Sequence, residues 1–341
     1  MAFLLPRATL DQLRRQASEL LRACRAGDTA ARARIRAVAT TEDPTPDTAR
    51  LALAREYGFD DWPQLEAEVG RRAVLDAVDV DALVTLIRND PAQATAPMRH
   101  WCDHPLSAAP LSYVAMMRYD TADEVWRDVP GADGLARVLL AAGAPVGGEP
   151  GGTETPLITA ASYGDPAVAR VLIDAGADVH AVAAGQGAVP GGTALDHAAV
   201  FGMTRVVDVL VAAGARPAGI AMAAAAGDVG GWLDEDTDPA DRIRALVMAA
   251  RHERLPVIDR LVEAGTPVDA VGERWGGHPL RDALSRPAAV RRLLDHGADP
   301  NLRDGDGRTP LELCRSERAR RPGEPGYAEV EAILAPITDR L

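Results

Sequence analysis

The sequence predicts an all-α chain: a solenoid of stacked helix–turn–helix units with β-turn fingers, closed at its start by an N-terminal helical segment. Three observations predict this. The strings LLAAGAPV (139–146), LIDAGADV (172–179), LVAAGARP (210–217), LVEAGTPV (261–268) and LLDHGADP (293–300) are copies of one element. Each is the end of an apolar helix stopped by a glycine (143, 176, 214, 265 and 297), at spacings of 33, 38, 51 and 32 residues. A glycine there takes the left-handed conformation that closes a helix. A second element precedes each copy: APLSYVA (109–115), TPLITAA (155–161), TALDHAA (193–199), RALVMAA (244–250) and HPLRDAL (278–284), with a sixth, TPLELC, at 309–314. Proline at a first helical position costs nothing, because that N–H has no helical partner. Finally, 47% of the chain is hydrophobic but only 4% aromatic, which suits closely packed helices better than sheets.

In chain order, residues 1–70 form the helical cap. LDQLRRQASELLRACRAGD places Leu10, Leu13, Ala17, Leu20, Leu21 and Cys24 on one helix face. FDDWPQLEAEV (59–69) has a good helix start, with Asp61 before Trp62 and Pro63. The repeat array is expected over 71–341, with a degenerate unit at 71–100, recognisable units over about 101–320 and a closing helix at 326–337. A helix starting at Pro105 would meet Pro110 within two turns, so the first recognisable helix starts at Pro110 and HWCDHPL (100–106) stays in the preceding finger. The unit at Ala109 takes 34 residues to reach its glycine against 21 in the next three. Its extra segment, 118–134, is inserted between its helices, and a half-unit at 220–233 interrupts the later period.

At this point the chain resembles the ankyrin-repeat family, preceded by a helical segment that does not follow its pattern. GADPNLRDGDGRTPLEL (297–313) is close to that family's consensus, and at least five units match. The chain departs from the pattern where the family usually carries histidine after Thr-Pro-Leu. Those positions hold Ser112, Ile158, Asp196, Val247, Arg281 and Glu312, which implies less regular stacking.

Composition excludes several classes of function. No lysine occurs, so all 37 basic residues are arginines, and Schiff-base, pyridoxal-phosphate and Walker-A chemistry are ruled out. A net charge of −13 argues against nucleic acid and anionic membranes, and no apolar run approaches a membrane span. MAFLLP is too short for a signal peptide, and three scattered cysteines (Cys24, Cys102, Cys314) read as reduced thiols, so a cytoplasmic location is expected. His100, Cys102 and His104 alternate, yet zinc sites usually draw on two separated ligand pairs, so no metal and no cofactor are expected.

The resemblance implies a concave binding groove lined by the fingers and by the last turn of each first helix. Carried over position by position, the groove residues are Met116 and Met117, Ser162 and Tyr163, Val200 and Phe201, Arg251 and His252, and Ser285 and Arg286. Trp126 of the insertion and Trp101 and Trp275 of the fingers complete the set. The expected function is therefore a non-enzymatic module that binds a protein partner. The alternative is a cofactor-independent acid–base enzyme, acting by dehydration, cyclisation or conjugate addition on a hydrophobic, polyketide-like small molecule. Its acid–base groups would come from Asp103, His104, Tyr163, Asp196, His197, Arg251, His252 and His278. Simpler roles stand beside these: loop hydrogen bonding for Asp196, packing between repeats for His197, and a helix cap for His278.

Overall fold

The computed structural model describes residues 8–338 except 42, 99–108, 121–124, 150, 186–188, 272–276 and 322–323. The described residues are almost wholly helical and divide into two units, Met1–Glu124 with Val129–Pro150, and Val125–Asp128 with Gly151–Leu341.

The first unit begins with α1 (Leu10–Arg25), α2 (Thr29–Arg36), α3 (Pro46–Glu56) and α4 (Trp62–Asp76). A capping box between Thr9 and Gln12 starts α1, and its expected apolar face is buried from Leu13 to Cys24. Asp61 caps α4 by accepting from the Gln64 N–H at 2.9 Å. Helix α4 runs through the expected division at residue 70 and forms a hairpin with α5 (Val80–Asn89), because nothing between Leu65 and Leu75 interrupts its apolar spacing. Within α4, the buried Arg71 pairs with Glu68 and donates to the carbonyls of Gln93 and Ala96, which holds the 3₁₀ turn Pro91–Ala94 in place. Helices α6 (Pro110–Met116) and α7 (Ala132–Ala141) pack together, and the inserted segment lies between them in sequence.

The second unit is a row of helical hairpins: α8 (Pro156–Tyr163) with α9 (Pro166–Asp174), α10 (Ala194–Val200) with α11 (Thr204–Ala212), α13 (Pro239–Arg251) with α14 (Leu255–Glu263), α15 (Pro279–Asp282) with α16 (Pro287–Asp295), and α17 (Pro310–Arg320) with α18 (Pro325–Leu334). The closing helix thus starts one residue before its expected bounds of 326–337 and ends three residues short of them. Between the second and third hairpins stands α12 (Ile220–Ala226), packed against α10, α11 and α13. It is the expected half-unit, and Val229 of the following loop is buried. First helices pack on first helices along the row (α8 on α10, α13 on α15, α15 on α17), as do second helices (α9 on α11, α14 on α16, α16 on α18). The core is correspondingly made of small and branched side chains, among them Ala160, Ala161, Ala198, Ala199, Ala249 and Ala250.

The helix stops work as the sequence implies. Gly176 has φ +91°, and the Ala177 N–H closes back on Leu172 O at 3.0 Å. The following finger is a narrow loop: Ala183 N–H donates to Gly192 O at 2.9 Å, and Ala184 N–H donates to Thr153 O of the preceding finger at 2.8 Å. The α8–α9 and α10–α11 turns use the left-handed Gly164 and Gly202, but the α13–α14 turn uses Glu253 at φ +56°. Its carboxylate accepts the Ala288 N–H at 2.8 Å in the first turn of α16, whose own cap residue, Arg286, makes no side-chain cap.

Candidate functional site

Six of the expected groove residues, Ser162, Tyr163, Val200, Phe201, Arg251 and His252, lie at the ends of first helices in the second unit. Tyr163 ends α8, and Trp126 lies against it, with ring centroids 5.8 Å apart and planes tilted by 38°. Two residues on, Asp128 reaches Arg205 at the start of α11, at 3.5 Å. The strand-like piece Val125–Trp126 and the residues after it therefore extend from the end of α8 to the α10–α11 hairpin. Phe201, the cap of α10, belongs to that hairpin. It is 41% exposed and Trp126 is 37% exposed, in a chain whose large apolar side chains are mostly buried.

Beneath this rim, Ser162 and His197 join α8 to α10, with Ser162 Oγ 2.8 Å from His197 Nδ1. Ser162 Oγ also lies 3.1 Å from Ile158 O. The other ring nitrogen, Nε2, is buried. Burial pushes the His197 imidazole below its ordinary pKa, while the Glu154 carboxylate, the Val189 carbonyl and the Asp196 carboxylate pull the other way. The ring of Phe201 packs one turn further along the same helix, 6.2 Å from the imidazole.

The equivalent positions further along the row are occupied differently. Arg251 Nε bonds Asp282 at 3.0 Å and its Nη1 donates to Val200 O at the end of α10. His252 is buried; its Nε2 lies 2.9 Å from Ala199 O and its Nδ1 lies 3.0 Å from Thr204 Oγ1. A carbonyl only accepts, so Nε2 carries the proton and Nδ1 accepts from the threonine hydroxyl. Burial holds the imidazole down at about 3, and the guanidinium groups of Arg254, Arg251 and Arg286 push the same way. Arg286 donates to Arg251 O at 3.0 Å and to Gly202 O at 3.1 Å. These cations sit on helix carbonyl ends, where the backbone dipole is negative. Arg251 and Arg286 are thus half-buried ties between hairpins.

Other expected residues also take structural positions. Met116 is 2% exposed and packs into the core of the first unit, so it presents no surface, while Met117 is half-buried there. The seven-residue α6 turns Met116 inward because it falls on the same face as Tyr113. Asp196 makes a capping box with Thr193, accepting its N–H and hydroxyl at 2.8 Å each. His278 caps α15 through Nδ1, 3.4 Å from the Arg281 N–H, and burial lowers its pKa. Val200 is half-buried. Trp101, Asp103, His104 and Trp275 lie outside the described residues. Among the described residues no three His, Cys, Asp or Glu side chains are placed to hold a metal ion, and no helix is long and apolar enough to cross a membrane. Asp282 and Glu253 were not anticipated. Asp282 is legible in retrospect, since it occupies the same place in its helix as His197, and each bonds the residue near the end of the preceding full first helix.

Helical hairpins joined by short fingers, with the second helices α9, α11, α14 and α16 each stopped by a left-handed glycine, make up a repeat-built scaffold. Residues 154–184, the span of the α8–α9 hairpin and its finger, match the ankyrin repeat family model. Over 61 residues the chain is 41% identical to human espin-like protein, covering 17% of the chain and 6% of that protein. Over 71 residues it is 39% identical to human 2-5A-dependent ribonuclease, covering 20% and 10%. The chain thus spans a tenth or less of the length of these curated relatives. Among solved structures, the human ASB11 ankyrin repeat domain aligns with 78% of the chain and 98% of its own at 18% identity and a TM-score of 0.34. The ankyrin repeat domain of Bcl-3 aligns with 68% of the chain and 87% of its own at 23% identity and a TM-score of 0.27. Ankyrin repeats are protein–protein interaction modules.

Proposed function

We propose that this chain binds a protein partner through the concave side of its second unit, with the contact centred on Trp126, Tyr163 and Phe201. The observation that carries this reading is the exposure of Phe201 and Trp126 along one line of helix ends, beside repeats whose equivalent positions are closed by polar bonds. Exposed aromatic side chains supply large contact area at little conformational cost, which is why they dominate binding hot spots. The enzymatic alternative draws no support from the histidines described. His197, His252 and His278 are buried, each lies beside a named structural partner, and burial lowers the pKa of all three.

The test is a photo-cross-linker, p-benzoylphenylalanine, placed at position 201 and, as a control, at the exposed Glu263 at the end of α14. A discrete adduct from position 201 is expected, one that is lost on Trp126→Ala and absent from position 263. Identical adducts from both positions, or none from 201, would refute this surface as the contact.

A further inference from the structure

The first two helices carry a charge pattern opposite to that of the chain as a whole. Between residues 9 and 40, where α1 and α2 stand, seven arginines are set against three carboxylates, in a chain of net charge −13. All seven arginines are exposed. Four of them are engaged close by: Arg14 with Glu66 at 3.0 Å, Arg34 with Glu56 at 2.6 Å, Arg25 with Pro44 O at 3.0 Å and Arg32 with Cys24 O at 3.4 Å. Arg15, Arg22 and Arg36 make no ion pair or side-chain hydrogen bond among the described residues.

Arg15 and Arg22 are two turns apart on α1, about 10 Å along the face opposite the buried Leu13, Ala17 and Leu20. Arg32 turns toward the last turn of α1, and Arg36, one turn further on, shares that side of α2. The three uncommitted guanidinium groups thus lie along a single short hairpin. Asp11 is taken by Arg14 at 3.5 Å and Asp28 caps α2, while Glu19 pairs with neither Arg15 nor Arg22. A helix C-terminus favours nearby cations, which accounts for arginine in the last turns of α1 and α2 but not for Arg15, in the second turn of α1.

We propose that this hairpin is a second docking surface, for a short acidic segment of a protein partner. Planar guanidinium groups bind carboxylates through paired hydrogen bonds. Two observations select a protein segment over a nucleic acid. Among the described residues, no aromatic or large apolar side chain is exposed on α1 or α2, so bases would find nothing to stack on. A long polyphosphate would also run past the hairpin into a chain of opposing charge, whereas a short acidic segment ends within it. The hairpin precedes the repeat hairpins of the second unit, and this reading does not depend on the aromatic rim there.

Fluorescence anisotropy of the full chain with fluorescein-labelled deca-glutamate at low salt provides the test. Two triple variants carry the same change in charge: Arg15→Gln with Arg22→Gln and Arg36→Gln, and, as a control, Arg170→Gln with Arg216→Gln and Arg281→Gln, whose arginines are exposed on the second unit. Glutamine matches arginine in helix propensity, so circular dichroism of both variants should match the parent. The first variant is expected to bind at least about 5-fold more weakly, because three surface ion pairs are lost, and the control within about 2-fold of the parent. Labelled oligo-uridylate of ten nucleotides is expected to bind more weakly than the peptide. Absence of peptide binding, equal weakening by the two variants, or tighter binding of the oligo-uridylate overturns the proposal.

Discussion

Two stretches of the second unit use the same register in opposite ways. Near α8 and α10, the position just before the hairpin turn holds Tyr163 and Phe201. Near α13 and α15, the same position holds His252 and Arg286. Phe201 keeps apolar surface toward solvent and Tyr163 lies against Trp126, while the second pair turns onto carbonyl groups of earlier helices. A position that is structurally equivalent is therefore not functionally equivalent. Side chains with donors close the repeats upon one another, and aromatic rings leave a face that another molecule can cover. The small residues of α12 stand between the two stretches in sequence, and the long arginines of α13 and of the α15–α16 turn reach back as far as the α10–α11 hairpin.

The sharpest way to break the contrast is through pH. His252 has a folded-state pKa of about 3, below the roughly 6.5 of an unfolded chain. Between those values the unfolded state binds the extra proton, so stability is complete above about pH 6.5 and falls as the pH is lowered toward 3. The slope contributed is about 1.4 kcal/mol per pH unit, or on the order of 3 kcal/mol by pH 4. Urea unfolding across this range should show it, and His252→Asn should flatten the profile by that amount. Next in size is Arg251→Ala, which strips both Asp282 and Val200 O of their partner. Because the pair is partly solvated, a loss of about 2–3 kcal/mol is expected in the urea midpoint. Ser162→Ala removes only the neutral bond to His197, and about 1 kcal/mol should be lost. Smallest of all, Phe201→Ala should change stability by less than about 0.5 kcal/mol, because much of its ring already faces solvent. If Phe201→Ala instead cost as much as Arg251→Ala, the two stretches would be equivalent after all and the aromatic rim would be packing.

The repeats were legible because glycine stops and helix-opening prolines or threonines are local signals. One residue forces the conformation, so position alone reveals the element. The start of α6 at Pro110, the half-unit α12 and the inserted segment after Met117 could be read in the same way. Exposure was less legible. Met116 and Phe201 are both large and apolar and both end a first helix, yet one is buried and the other exposed, because neighbouring chain decides the outcome. Arginine was the hardest to read. Sequence places Arg251 and Arg286 on the groove side, but a long side chain bonds wherever an acceptor lies within its reach, and those acceptors belong to hairpins dozens of residues away.

Glu253 carries a lesson for engineering. Averaging the repeats would replace it with glycine, the residue that holds the corresponding turns at 164 and 202. That exchange would relieve a left-handed backbone worth about 1–2 kcal/mol and discard a helix cap worth about 1 kcal/mol. A melting curve would hardly register the difference. The α16 hairpin would nonetheless lose its rivet to the one before it, so consensus redesign could yield a scaffold of unchanged melting temperature whose repeats open independently. Hydrogen exchange at Ala288 would reveal that loosening where calorimetry would not.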